Sequence, residues 1–325
     1  MYLSHSRTAL NLIIQHIKNN HNYKNQLLVP DYICNTVTEH LKDLDIEIIY
    51  YKINKNLFID FSNLNKLVHK KTIGLLIVHY FGFPINLDKA LKFCEISNLV
   101  LIEDNSHGYK GYYKGKELGT FGKFGFTAPR KHLQINYGGF LNSKLDSNVI
   151  KTLKSNYKCN TYDKFKFIIN NNFLSTKLFI QKYTSNKVNK IQYEPYQRII
   201  DSKLDKFSLK IIQKTNWANL RKNKMRNYIR WKNFFSKYES INLFENFELD
   251  YFDVNPWCYP LIFNSEKEVI NILNWAKKNL FIAFCWPTLP NAIKKDTLAY
   301  KYSRKIVCFS TYKAPGKNFK KSIVL

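Results

Sequence analysis

The chain has 325 residues, 45% of them hydrophobic and 16% aromatic, and carries a formal net charge of +27. That much apolar material excludes a disordered chain and suffices for two domains or one large α/β unit with an appendage. The charge admits nucleic-acid or anionic-surface binding, but only seven of the 51 basic residues are arginines; the lysines are scattered beside abundant Asn, Ile, Tyr and Phe, as an A/T-rich coding composition produces, rather than massed in a block.

The N-terminal MYLSHSRTALNLIIQHIKNN has amphipathic helical spacing, not the charged start and continuous apolar centre of a signal peptide. No apolar run approaches the roughly 18 residues of a membrane span, so a cytoplasmic protein is expected. QLLVPDY (26 to 32) and IEIIYYKI (46 to 53) read as strands flanking a helix near 35 to 43. IGLLIVHYF and LVLIED are short apolar runs without alternation, as strands covered on both faces should be. Between them Ala90, Leu91 and Cys94 share one helical face, with Asn86 or Asp88 as cap. This βαβ unit predicts a parallel sheet, and the first two-thirds reads as a doubly wound α/β domain.

Sites in such domains lie beyond the carboxyl ends of the strands, where LVLI here runs into Glu103-Asp104. Asp104 alone could be an ordinary turn or capping carboxylate. Eight of the 11 glycines follow it between 108 and 139, which suggests tight turns and close backbone approach, although a pair of β-hairpins would also use them. Residues 151 to 210 have poor periodicity. A long helix is expected from 211 to 238, then an apolar strand WCYPLIF, a helix opened by the capping box Ser265 to Glu268, the segment FIAFCWPTLP and a last strand KIVCFST. The expected division is 1 to 205 and 206 to 325, the second being a small α+β domain with the long helix as its link. The six cysteines contain no C-x-x-C pair and the eight histidines no H-E-x-x-H spacing, so reduced thiols and no metal are expected.

The ordered segments SHSRTAL, LLVPDYICNTV, HYFGFP, LIEDNSHG, YYKGKELGTFGKFGF and RKHLQINYGG, with YPLIF and CWPTLP downstream, together resemble the DegT/DnrJ/EryC1/StrS family of pyridoxal-phosphate-dependent sugar aminotransferases. The resemblance implies the aspartate aminotransferase-like fold (type I), with a mostly parallel sheet in a large domain and a small C-terminal α+β domain. It makes Lys131, seven residues before Gly138-Gly139, the Schiff-base lysine. By the same resemblance Asp104 pairs with the pyridine nitrogen, His107 meets the ring near its phenolic oxygen, and Ser6, Arg7 and Thr8 hold the phosphate. A protonated ring is the electron sink such chemistry needs, and a helix start suits an anion.

Implied too are pyridoxal 5'-phosphate as cofactor, a nucleotide-linked keto sugar and glutamate as substrates, a homodimer, and no membrane or nucleic-acid partner. Two departures stand out. Phe126, Thr127 and Ala128 occupy the stretch where the family has a phosphate-binding serine, leaving Thr127 as the substitute, and Cys34 stands where an aromatic often stacks on the ring. The alternatives are a sugar dehydratase of the same fold, whose branch carries histidine in place of the lysine and to which His132 draws attention, and a non-catalytic basic binding protein.

Overall fold

The structure of the protein, a computed structural model, describes residues 1–20, 24–133, 135–153, 161–172, 187–191, 201–236 and 253–316, with positions 178, 196, 199, 238, 242, 243 and 319. Nine strands come from the first half: β1 Tyr2–Leu3, β2 Gln26–Pro30, β3 Glu47–Tyr51, β4 Thr72–Val78, β5 Val100–Asp104, β6 Tyr112–Tyr113, β7 Lys116–Glu117, β8 Phe124–Thr127 and β9 Gly139–Leu141. Seven of them form one sheet in the order β1-β9-β8-β5-β4-β2-β3. From β3 to β8 every pairing is parallel, and only β9 and β1 add antiparallel pairs. The expected mostly parallel α/β sheet is therefore present. All seven residues of β4 are buried, which explains its unbroken apolar sequence.

Helix α1 (Ser6–Asn20) leaves β1 directly and α2 (Leu87–Ile96) completes the βαβ unit between β4 and β5. Asn86 is the N-cap residue of α2, though its side chain makes no capping hydrogen bond. The helix expected near 35 to 43 is instead a single α-turn, Asn35–Thr38, followed by a 3-10 turn to Leu44. The glycine window holds one hairpin, β6 with β7, not two; the chain then returns through Gly119 and Gly122 to β8 in the main sheet.

That return is governed by Glu103. Successive side chains on a strand point to opposite faces, so Glu103 and Asp104 leave β5 on opposite sides. Glu103 is fully buried and accepts hydrogen bonds from the amides of Gly119 (3.0 Å) and Gly122 (2.6 Å), with His79 Nε2 at 2.9 Å. A carboxylate satisfied in this way folds the glycine run back against the sheet. At Gly125 no side chain is possible, because a Cβ would lie 1.9 Å from the carbonyl oxygen of Gly119.

In the second half the long helix expected from 211 to 238 is two helices, α3 (Lys206–Lys214) and α4 (Trp217–Phe235). The break comes at Asn216, whose side chain accepts from the Asn219 amide at 3.0 Å, the N-cap geometry that starts a new helix. Helix α4 packs its Trp231 and Phe235 against Phe309 and Phe281. Phe309 belongs to an antiparallel sheet of order β10-β11-β13-β12, from β10 Asn242–Leu243, β11 Cys258–Ile262, β12 Ala283–Cys285 and β13 Ile306–Ser310. Helix α5 (Glu266–Lys278) starts at the expected Ser265, which accepts from the Glu268 amide, while the Glu268 carboxylate reaches the amide of Asn264.

The two sheets meet at the carboxyl ends of the parallel strands. Trp257 N–H donates to Phe81 O (2.8 Å), Tyr112 N–H to Asp253 O (2.9 Å), Asn35 N–H to Thr288 O (2.7 Å), and the Tyr32 hydroxyl to Trp286 O (2.6 Å). Replacing Glu103 with alanine strands two amides and a histidine in the interior. We expect Glu103→Ala to lower the unfolding free energy by about 3–5 kcal/mol, read from denaturant titration.

Candidate active site

Three neighbouring parallel strands end together, β4 at Val78, β5 at Asp104 and β8 at Thr127. Beyond β8, Pro129–Lys131 form a single 3-10 turn closed by hydrogen bonds from Lys131 N–H to Ala128 O (2.9 Å) and from His132 N–H to Pro129 O (2.9 Å). The fixed φ of Pro129 suits the first position of such a turn. Gly138 N–H donates to Ser4 O at 2.8 Å, and Gly139 lies so close to the start of α1 that a Cβ would come within 2.3 Å of the His5 backbone. The glycine pair thus seats the lysine turn against the helix start.

Lys131 is half-buried, with its amine 4.6 Å from the ring centre of Trp257 and 5.8 Å from that of Trp286. Burial pushes it down to about 8, against the counter-pull of Asp104 and with added pressure from Arg130. Asp104 is buried and held upward by desolvation, partly offset by Lys131 and by Ser106, whose amide donates to Oδ1 at 2.9 Å. The amine and the carboxylate therefore act on each other, each shifting the other toward its charged form. The ring of His132 turns toward Lys224, Nδ1 to Nζ 3.2 Å.

His107 joins this pair. Its ring stacks on Trp257 (4.3 Å between centres), with Trp286 edge-on at 4.5 Å. Burial, Lys131 and His132 hold it well below the usual histidine range, so it is neutral. The amide of Phe81 donates to its Nδ1 at 3.1 Å, leaving the proton on Nε2. Phe81 achieves this in a left-handed conformation, φ 58°, which costs a bulky residue about 1–3 kcal/mol. Its carbonyl takes the Trp257 amide, so one strained residue orients the histidine and anchors the indole above it.

The helix start lies on the other side of Lys131. Ser6 and Arg7 open α1, where the first amides lack helical partners and the dipole favours an anion. Arg7 packs over the Tyr196 ring at 5.6 Å. Arg130 acts on Arg7, on Lys131 and on His5, which burial and the two arginines push down to about 3. Thr8 is buried near Asp201, a carboxylate held by His40 and Asn11, and its hydroxyl has no hydrogen-bond partner among the described residues.

Asp104, His107 and Lys131 are thus brought together, Arg7 borders them through Arg130, Ser6 lies against Gly139, and Thr8 follows in the first turn of α1 with its hydroxyl unpartnered among the described residues. Cys34, which has no ring to stack, precedes the turn Asn35–Thr38 and lies near both Arg7 and Lys131. The sequence does not mark Trp257, Trp286 or Lys224 as site residues. Their segments read only as an apolar strand, a proline-containing stretch and a helix, with nothing in their spacing to mark them.

The donor set suits a planar cofactor with a cationic ring nitrogen and an anionic tail. Asp104 is a buried carboxylate without a full counter-charge, His107 presents an Nε2 proton, and the Thr127 hydroxyl is buried at the end of β8 with no hydrogen-bond partner among the described residues. Pyridoxal phosphate has those features, and Thr127 is the hydroxyl that stands where a phosphate-binding serine was missing.

Comparison with known proteins agrees. Residues 4–159 match the model of the DegT/DnrJ/EryC1/StrS aminotransferase family. The chain is similar to GDP-perosamine synthase of Escherichia coli O157:H7, 33% identical over 61 residues, which are 19% of this chain and only 17% of that protein's length. In fold it is similar to PseC of Helicobacter pylori, an aminotransferase involved in the biosynthesis of pseudoaminic acid (TM-score 0.67, 13% identity, 95% of this chain and 80% of that one). It is also similar to the Escherichia coli GDP-4-keto-6-deoxy-D-mannose-3-dehydratase with bound hydrated PLP (TM-score 0.64, 16% identity, 95% and 82%). The family model thus matches just under half of the chain, and the fold is shared over nearly its whole length, so the chain is similar to the DegT/DnrJ/EryC1/StrS aminotransferases in its first half and resembles their fold throughout.

Proposed function

We propose that the protein is a pyridoxal-phosphate-dependent aminotransferase that places an amino group on a nucleotide-linked keto sugar, with glutamate as donor, for amino-sugar or surface-polysaccharide biosynthesis. The observation that carries this reading is the Lys131 amine over Trp257, 4.6 Å from its ring centre, on the same indole that His107 stacks against and with the buried Asp104 acting on it. When bound, the cofactor supplies an aldehyde that takes up amines and a cationic ring that withdraws electrons from the adjoining carbon. Every other part of the work falls to residues of the chain.

Asp104 is positioned to keep a ring nitrogen protonated, since its burial favours pairing with a cationic N–H over solvent. His107 offers its Nε2 proton to a phenolate oxygen. Arg7, the amides at the start of α1 and the Thr127 hydroxyl are the groups to bind the phosphate. With an amine that loses its proton near neutral pH, Lys131 is suited to be the general base, moving a proton between substrate and cofactor carbons. Trp257 and Trp286 exclude water from the amine. A homodimer is part of this proposal.

The dehydratase alternative requires a histidine in the place of the lysine. The Lys131 amine lies over Trp257, the ring on which His107 stacks, while His132 turns to Lys224, which favours transamination.

The reading is tested by adding pyridoxal phosphate, reducing with borohydride and mapping the labelled peptide. The adduct should fall on Lys131, be absent from Lys131→Ala, and amino transfer from glutamate to nucleotide keto sugars should drop by about 10²–10⁴ in that variant. An adduct on another lysine, or none, sinks the proposal. Because only the unprotonated amine reacts, the rate of adduct formation should climb with pH up to about 8 and level off above it. Asp104 raises the Lys131 value, so Asp104→Asn should shift this midpoint lower, measured by trace acetylation of the Lys131 peptide across pH.

A further inference from the structure

Helix α4 turns Lys224, Tyr228, Trp231 and Phe235 toward the interior. The spacing of four, three and four residues is a helix's apolar stripe, and three of the four are aromatic. Lys224 occupies the first place in the stripe and is 1% exposed, the one lysine among the described residues so closed off from solvent. No carboxylate is paired with it among the described residues. An amine in such a position carries a desolvation cost of several kcal/mol in its charged form, which an apolar residue would avoid.

What Lys224 touches is specific. Its Nζ lies 3.2 Å from His132 Nδ1 and 3.4 Å from the carbonyl oxygen of Pro256, over the Tyr312 ring at 4.8 Å. His132 is itself fully buried and follows Lys131 directly in the 3-10 turn. Pro256 precedes Trp257, whose ring covers the Lys131 amine. Lys224 therefore grips both walls of the lysine's enclosure, the turn that carries it and the backbone that carries the indole. The titratable groups around it are His132, Tyr312 and Cys258, with Lys131 and His107 on the far side of His132.

We propose that Lys224 is a positioning residue for Lys131: through His132 and Pro256 it holds the reactive turn against Trp257 and keeps the Lys131 amine enclosed. The inference rests on the reading that Lys131 is the reacting amine. Burial lowers Lys224 itself to about 7. In its charged form it donates to Nδ1 of a neutral His132, whose ring burial and the two lysines keep unprotonated. Losing Lys224 frees the turn and admits water to Lys131.

The test is trace acetylation of the cofactor-free protein across pH, each reacting amine taking an acetyl group from acetic anhydride with release of acetate. The Lys131 peptide is followed by mass spectrometry. In the wild type its midpoint should lie near 8. In Lys224→Met it should rise by at least about one unit toward the ordinary lysine value of about 10.4, a roughly tenfold loss of unprotonated amine at pH 7, while the thermal midpoint stays or rises because the buried polar group is gone. A residue that merely holds the fold together would do the reverse, lowering the thermal midpoint and leaving the Lys131 midpoint alone. His132→Leu breaks the same contact from the other side and should raise the Lys131 midpoint equally, with the double variant no higher than either single one. An unchanged Lys131 midpoint in these variants, with the borohydride adduct still on Lys131, overturns the inference alone; a wild-type midpoint already near 10.4 overturns it together with the proposed function.

Discussion

The end of β5 is the constraint on which the molecule turns. Two acidic residues stand side by side there, and the alternation of a strand sends them to opposite faces. Glu103 spends its oxygens on His79, Gly119 and Gly122 and so draws the glycine run back to the sheet. Asp104 is left on the other face, buried, with Lys131 as its cationic neighbour. If the first interaction failed, β8 would not be delivered beside β5, and Lys131, which follows β8 by four residues, would not face Asp104.

A second layer of control comes from the C-terminal half. Its sheet brings Trp257 and the Trp286 segment over the strand ends, tied down by hydrogen bonds from the Trp257 amide to Phe81, from the Asn35 amide to Thr288 and from the Tyr32 hydroxyl to Trp286. Phe81 shows how much is invested in this contact. It keeps a left-handed backbone while its amide orients His107 and its carbonyl holds Trp257. The site is thus assembled from both halves of the chain: the first supplies the groups with chemistry, and the second closes them off from water.

Much of the frame was legible in the sequence because burial on both faces leaves a plain mark. β4 and β5 are unbroken apolar runs, and their βαβ connection followed from the spacing between them. The glycines could be seen to signal close approach, but not which contact required it; that depended on Glu103, whose burial no local pattern encodes. The single long helix was a misreading of the same kind. The run 211 to 238 looks continuous, yet Asn216 caps a new helix instead of sitting inside an old one. Lys131, Asp104 and His107 stand out in the sequence through the family resemblance of their segments, and the fold brings them together, whereas Trp257, Trp286 and Lys224 come from distant segments and acquire meaning only once the chain has folded. Among 51 basic residues, a lysine in the apolar stripe of a helix is invisible until that helix is given a core to face.

The most direct test of the account is a crystal structure of the protein grown with pyridoxal phosphate. The account predicts continuous density from the Lys131 amine to the aldehyde carbon, with Asp104 within hydrogen-bond distance of the ring nitrogen and the phosphate at the amides that open α1. Density joined to Lys224 or to another lysine, or a ring bound away from Asp104, would contradict it.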